Sequence, residues 1–250
     1  MKNKIIILIF FTIFIFLNIY FIIINTHNKI KIEAASAFYP FTCNLMKKTY
    51  GNDNMVKMVS TSQAYNDIIN KKANIIISTA PSEEQKNMIQ KSNISLKYIT
   101  LYNEPLAIFV NKNNNIDNLS IEQIQNIYYE NNSNWNTYQL EKNNGSQTCF
   151  ESIVKNNHLG NNHYEINTMP KIIDEVALDN NGIGYAFYSY YSKMHINNNT
   201  KIINVNGKKI SDTDYPLLFE VYLIYRTDDN KNEENINLIM QSSLRSPLTD

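Results

Sequence analysis

Four short stretches of the chain carry hydroxyls where a helix is about to begin: Ser36-Ala37, Ser60-Thr61-Ser62, Ser78-Thr79 and Gly145-Ser146-Gln147-Thr148. The first turn of a helix has N–H groups without intrahelical partners and gathers partial positive charge. Such a start can therefore hold an oxyanion with little formal charge nearby. In the fourth stretch Gly145 can take backbone shapes that other residues resist, and Ser146 and Thr148 place hydroxyls among the free donors. Each stretch alone also reads as an ordinary helix cap. The weight lies in their recurrence.

The elements that must position these residues follow from hydrophobic period. Residues 30–34 alternate like a strand, and Pro40 then falls in the first turn of a helix with Phe41 and Leu45 on one face. Residues 55–59 and 73–77 read as two further strands. The first leads through Ser60-Thr61-Ser62 into a helix with Tyr65, Ile68 and Ile69 as its apolar positions, the second through Ser78-Thr79 into a helix over about 82–90. This succession predicts a parallel sheet with helices on both faces, and in such sheets ligands collect at the carboxyl ends of the strands, where Ser36, Thr61 and Thr79 fall.

Farther on, residues 96–101 and 106–110 read as two strands broken by Asn103-Glu104-Pro105. Ser120 and Gln123 form a capping box ahead of a face made by Ile121, Ile124, Ile127 and Tyr128. Trp135 reads as a packing anchor. Phe150, Ile153 and Val154 give the helix after Gly145 its apolar side, and Pro170 opens another helix with Ile172, Ile173 and Val176 inward. Strands over 184–187, 201–205 and 217–225, a tight turn at Asn206-Gly207 and a last helix over about 233–245 complete the chain. Clusters of strands and helices before and after Pro105 predict two lobes with a cleft between them.

Lys2 and Lys4 precede an apolar run from Ile5 to Ile24, long enough to span a bilayer core. The basic residues on its short leading side predict a signal-anchor helix over residues 1–28, with everything beyond it outside the cytoplasm. A cleaved signal peptide is the competing reading, since Ala35-Ser36-Ala37 offers a small-x-small site, but that site lies far beyond the run and cutting there would remove the first strand.

The formal charge of the 250 residues is zero, and without Lys2 and Lys4 there are 21 basic against 23 acidic side chains. No basic field exists to attract nucleic acid, so any anion must be held by local donors. Cys43 and Cys149 have no metal-ligand spacing and read as free thiols. Catalysis by Cys149 with a base from His158, His163 or His195 is disfavoured, because no histidine has a recognisable partner pattern.

Over residues 31–226 the chain resembles the phosphate-binding proteins of ABC-type phosphate transporters, receptors of the type II periplasmic-binding-protein fold. The resemblance rests on Ala35-Ser36-Ala37-Phe38-Tyr39-Pro40, Ser60-Thr61-Ser62, Ser78-Thr79-Ala80-Pro81, Leu106-Ala107-Ile108-Phe109-Val110-Asn111, Asn134-Trp135, Gly145-Ser146-Gln147-Thr148 and Gly182-Ile183-Gly184-Tyr185-Ala186, in that order. It implies an α/β, two-lobed fold with lobe 1 at 29–103 plus 218–250 and lobe 2 at 104–217. It also implies a non-enzymatic, monomeric receptor outside the cytoplasm, held on the cell membrane by its single anchor helix. No cofactor or metal is expected. The receptor would pass inorganic phosphate or a similar oxyanion to an ABC permease. The implied ligand set is Ser36, Ala37, Thr61, Thr79, Lys142, Ser146, Gln147 and Thr148. Two positions depart from the family pattern: Thr79 stands where an aspartate is frequent, and Lys142 where an arginine is common. Thr79 lacks the acceptor that selects a protonated anion, and Lys142 is a point charge rather than a planar fork. These departures motivate a rival reading, a membrane-tethered sensor or surface module with altered or lost phosphate binding.

Overall fold

A computed structural model describes residues 30–129, 134–154, 163–228 and 231–244. The expected anchor helix falls outside them; among the described residues no helix is long and apolar enough to cross a membrane.

The chain runs β1 (Ile32–Ala35), a short 3-10 turn (Ser36–Phe38), α1 (Tyr39–Tyr50), β2 (Val56–Val59), α2 (Thr61–Ile69), β3 (Ile75–Ser78), α3 (Glu83–Lys91) and β4 (Leu96–Asn111). It continues with β5 (Asn118–Leu119), α4 (Ile121–Tyr129), β6 (Asn136–Leu140), α5 (Gly145–Val154), β7 (His163–Ile166), α6 (Met169–Leu178) and β8 (Gly182–Phe187). A π-helical turn (Tyr190–Met194), β9 (Thr200–Ile202), β10 (Asn204–Val205), β11 (Leu218–Arg226) and α7 (Lys231–Leu244) end it. Among the described residues one sheet has the order β2-β1-β3-β11-β4-β8-β6-β7, with β9 also on β4, and a small parallel pair joins β10 to β5.

Pairing is parallel among β1, β2 and β3, as the alternation of strands and helices predicts, and it is parallel again among β6, β7 and β8. It is antiparallel where β11 and β4 pass through the middle. β4 is the main departure from the sequence expectation, for what reads as two strands is one of sixteen residues. Its first part, through Pro105, pairs with β11, and from Leu106 onward it pairs with β8 and β9. Pro105 stands where the strand changes partners, the place where a missing N–H costs the ladder least. Leu106 at once resumes bonding, donating to the Leu217 carbonyl at 2.9 Å. The stretch 201–205 departs the other way, splitting into β9 and β10 with different partners. β6 and β7 have no counterpart in the sequence reading.

Period two and period 3.6 explain the packing. Ile75 and Ile77 of β3 join the large cluster that includes Leu45 and Met46 of α1 and Ile236 and Ile239 of α7. Ile76, on the other side of the strand, meets Tyr65 and Ile68 of α2. In the other half of the sheet, Gly184 lets α6 approach so closely that an added Cβ would lie 2.7 Å from Ile172 Cγ2. Its neighbour Tyr185 points the opposite way and stacks on Phe150 of α5, ring centroids 4.0 Å apart. The capping box at Ser120 and Gln123 forms in both directions, at 3.0 and 2.7 Å. The Asn206-Gly207 turn forms with φ of 52° and 76°. Trp135 packs, partly buried, against the large cluster.

Candidate functional site

A cavity of about 380 Å³ opens where several strands end and helices begin. Ser36, Ala37 and Phe38 line it after β1; Met58, Val59, Ser60 and Thr61 line it where β2 hands over to α2. The other wall has Asn144 ahead of α5, Asn167 to Pro170 at the start of α6, and Phe187 and Tyr190 after β8. None of the lining residues is formally charged. What the wall offers an anion is therefore the donor ends of helices and small polar side chains. Those ends are differently equipped. Ser60 caps α2 by accepting from Gln63 N at 3.1 Å, whereas Thr168, though extended at the N-cap of α6, makes no capping bond.

The turns expected to act together do meet. Thr61 Oγ1 accepts a hydrogen bond from the Gly145 amide at 3.2 Å, eighty-four residues away in sequence. A Cβ placed on Gly145 would lie 2.8 Å from Thr61 Oγ1 and 2.9 Å from Thr79 Oγ1, so glycine is required there by close approach. Tyr65 of α2 holds the same region by donating to the Thr79 carbonyl at 2.7 Å.

The eight expected ligands divide into four groups. Ser36, Ala37 and Thr61 line the cavity. Thr79 is buried behind it, its hydroxyl without a hydrogen-bond partner and beside the Cys149 thiol. Ser146, Gln147 and Thr148 are not on the wall but form the first turn of α5 behind Asn144. The Ser146 hydroxyl donates to Asn144 Oδ1 at 3.1 Å. The Gln147 amide donates to Glu151 at 2.9 Å and accepts from the Tyr185 hydroxyl. Thr148 Oγ1 is buried without a partner. Lys142 is exposed and does not line the cavity.

Sequence reasoning passed over Asn143, Asn144 and the start of α6. Asn143 is left-handed, φ 67°, and fastens the loop to the other half of the sheet. Its carbonyl accepts from Ser62 Oγ at 3.0 Å and Gln85 Nε2 at 3.2 Å. Its side chain accepts from Ser82 Oγ at 2.6 Å and donates to Glu84 at 2.6 Å. Asparagine before Asn-Gly is the signal that marks such a position, because its side chain tolerates positive φ. Thr168 is legible as the N-cap once Pro170 is placed in the first helical turn. On the opposite side, Glu104 of β4 accepts from the Ser189 amide at 2.7 Å, and the Ser189 hydroxyl reaches the Ala37 carbonyl at 3.4 Å. Burial pushes the Glu104 carboxyl above its ordinary range, against the pull of the Ser189 bond.

Both cysteines are free and buried. Burial pushes the Cys149 thiol up to about 12, the reverse of what a nucleophile needs. His163 lies in β7, not in a loop as its Asn-rich surroundings suggest, and burial lowers its pKa. His195 pairs with Asp174 at 2.9 Å, and His158 lies outside the described residues. Among the described residues no group of three or more metal-ligating side chains converges.

Comparison with solved structures finds the same fold at low identity. A phosphate ABC transporter substrate-binding protein with bound phosphate from Clostridium perfringens is 17% identical, covering 84% of this chain and 92% of its own, with a TM-score of 0.67. An ABC-type phosphate transport receptor from Vibrio cholerae is 16% identical, covering 86% and 95%, at 0.63. The CcmR regulatory domain of Synechocystis PCC6803 in complex with 2-PG is 13% identical, covering 85% and 96%, at 0.61. No curated protein sequence matches the chain. These solved structures are a substrate-binding protein, a transport receptor and a regulatory domain. The family model of the PBP superfamily domain matches residues 24–240, well over half of the sequence, and on that ground the protein belongs to the PBP superfamily.

Proposed function

We propose that the protein is an extracytoplasmic solute-binding protein that captures one small oxyanion, with inorganic phosphate as the reference ligand, and presents it to an ABC permease. The observation that carries this reading is the meeting of Ser36, Ala37, Thr61 and Asn144 around one uncharged cavity at several helix starts. Backbone N–H groups there can replace the water around an anion without a fixed cation. The phosphate-binding receptors of the same fold support it. In this reading Ser36, Ala37 and Thr61 donate from lobe 1, residues 29–103 plus 218–250, and the Asn144 side chain from lobe 2, residues 104–217, while the Gly145 amide is held by Thr61 Oγ1. Thr79, Ser146, Gln147 and Thr148 hold those donors in place, and Lys142 adds positive charge at the approach. Residues 1–28 anchor the monomer to the membrane with the binding domain outside.

Isothermal titration of the purified full-length chain with phosphate tests the reading. Saturable one-to-one heat is expected. A second reading, a sensor or surface module of the same fold, draws on Thr79 in place of an acidic acceptor and on the likeness to a regulatory domain. Absence of heat with phosphate, sulfate and similar oxyanions would favour it.

A further inference from the structure

We propose that the ligand is not a bare oxyanion but a tetrahedral oxyanion bearing one apolar substituent, a phosphonate or a phosphate monoester. This rests on reading the cavity as an oxyanion seat. The first observation is size: about 380 Å³ has room for about a dozen waters, and a bare tetrahedral anion fills a small part of it. The second is the division of the wall. Donors gather around Ser36, Ala37, Thr61 and Asn144, while Met58, Val59, Met169, Pro170, Phe187 and Tyr190 complete the enclosure with hydrocarbon and ring surface.

That apolar surface is not merely core showing through. Phe187 and Met169 are buried, but Met58 keeps 52% of its surface exposed, and Val59, Pro170 and Tyr190 are partly exposed. A half-exposed methionine beside a ring suits a flexible apolar group better than a hydrated ion, whose water shell it would displace without replacing. The third observation is charge. With no carboxylate on the wall, nothing there requires a protonated oxygen on the ligand. A carbon that replaces one anion oxygen, as in a phosphonate, or that caps one, as in a monoester, lowers the demand for donors and turns an apolar group toward Met58 and Tyr190.

The inference predicts a ladder of affinities, since each methylene buried adds about fourfold. The test is calorimetric titration of the purified full-length chain with inorganic phosphate, methylphosphonate, butylphosphonate, phenylphosphonate, phenyl phosphate and, as a neutral control, benzyl alcohol. The expected result is that butylphosphonate or phenylphosphonate binds at least tenfold tighter than methylphosphonate and inorganic phosphate, with benzyl alcohol far weaker. Phenyl phosphate against phenylphosphonate then separates ester from direct carbon attachment. Met58→Ser, at an exposed strand position that leaves the core intact, should lower affinity for phenylphosphonate at least threefold more than for inorganic phosphate. Inorganic phosphate binding as tightly as the substituted anions, or tighter, overturns the inference and leaves the oxyanion reading standing. Failure of every anion to bind overturns both, and so does benzyl alcohol binding as tightly as phenylphosphonate.

Discussion

Two turns of nearly the same composition have different fates in this protein. Ser60-Thr61-Ser62 and Gly145-Ser146-Gln147-Thr148 both open helices and both put hydroxyls beside free amides. The first lies on the cavity wall, with Thr61 only 6% exposed yet lining the space. The second is folded inward, its Ser146 hydroxyl given to Asn144 and its Gln147 side chain to Glu151 and Tyr185. One bond, Gly145 N–H to Thr61 Oγ1, ties the two together. Donor content at a helix start thus measures capacity, while the surrounding packing decides which donors are already spent.

Breaking the tie should have the largest effect. Gly145→Ala forces a Cβ against two buried hydroxyls, and we expect a loss of about 3 kcal/mol in urea denaturation, because short side chains on fixed backbone have little room to give. Thr61→Val keeps the shape but strands the Gly145 amide. A loss of about 2 kcal/mol in stability and at least tenfold weaker oxyanion binding should follow. Asn143→Ala removes two side-chain bonds and with them the polar group that makes φ 67° tolerable, for about 1.5 kcal/mol of stability. Ser146→Ala sharpens the contrast: about 1 kcal/mol of stability and less than twofold in affinity, since its hydroxyl serves Asn144 rather than the cavity. An effect of Ser146→Ala on binding as large as that of Thr61→Val would erase the distinction between the turns.

The smallest effect concerns pH. The folded Glu104 carboxyl titrates above its ordinary 4.5, chiefly through desolvation. The native state therefore holds the proton more firmly than the unfolded chain. Its contribution to stability is fully present below the ordinary value and is lost as pH rises through the raised one. Glu104→Gln should flatten that part of the stability profile, as followed by thermal melts at a series of pH values.

Local chemistry made the helices and their first turns legible: the periods around Tyr65, Ile124 and Ile172 and the cap at Ser120 act within a few residues of chain. What escaped depends on distance. β6 and β7 are short and follow Asn-rich stretches, and they become strands because Tyr138 and Ile166 are buried where β6 pairs with β8 and β7 with β6. The continuity of β4 through Pro105 is a property of its partners β11 and β8, not of its own sequence. Ser36 and Thr61 were recognisable as cavity residues from their place after parallel strands, whereas Thr79, read the same way, is buried behind the cavity. Whether Ser146, Gln147 and Thr148 face outward was set by Asn144, Glu151 and Tyr185, which no local pattern ties to them.

Residue-resolved amide NMR of the full-length chain during a titration with inorganic phosphate tests the central claim most directly. Saturable shifts concentrated at Ser36, Ala37, Thr61 and Asn144 are the predicted result. Shifts confined to other surfaces, or none at concentrations where calorimetry shows heat, would contradict the assignment of the cavity as the oxyanion site.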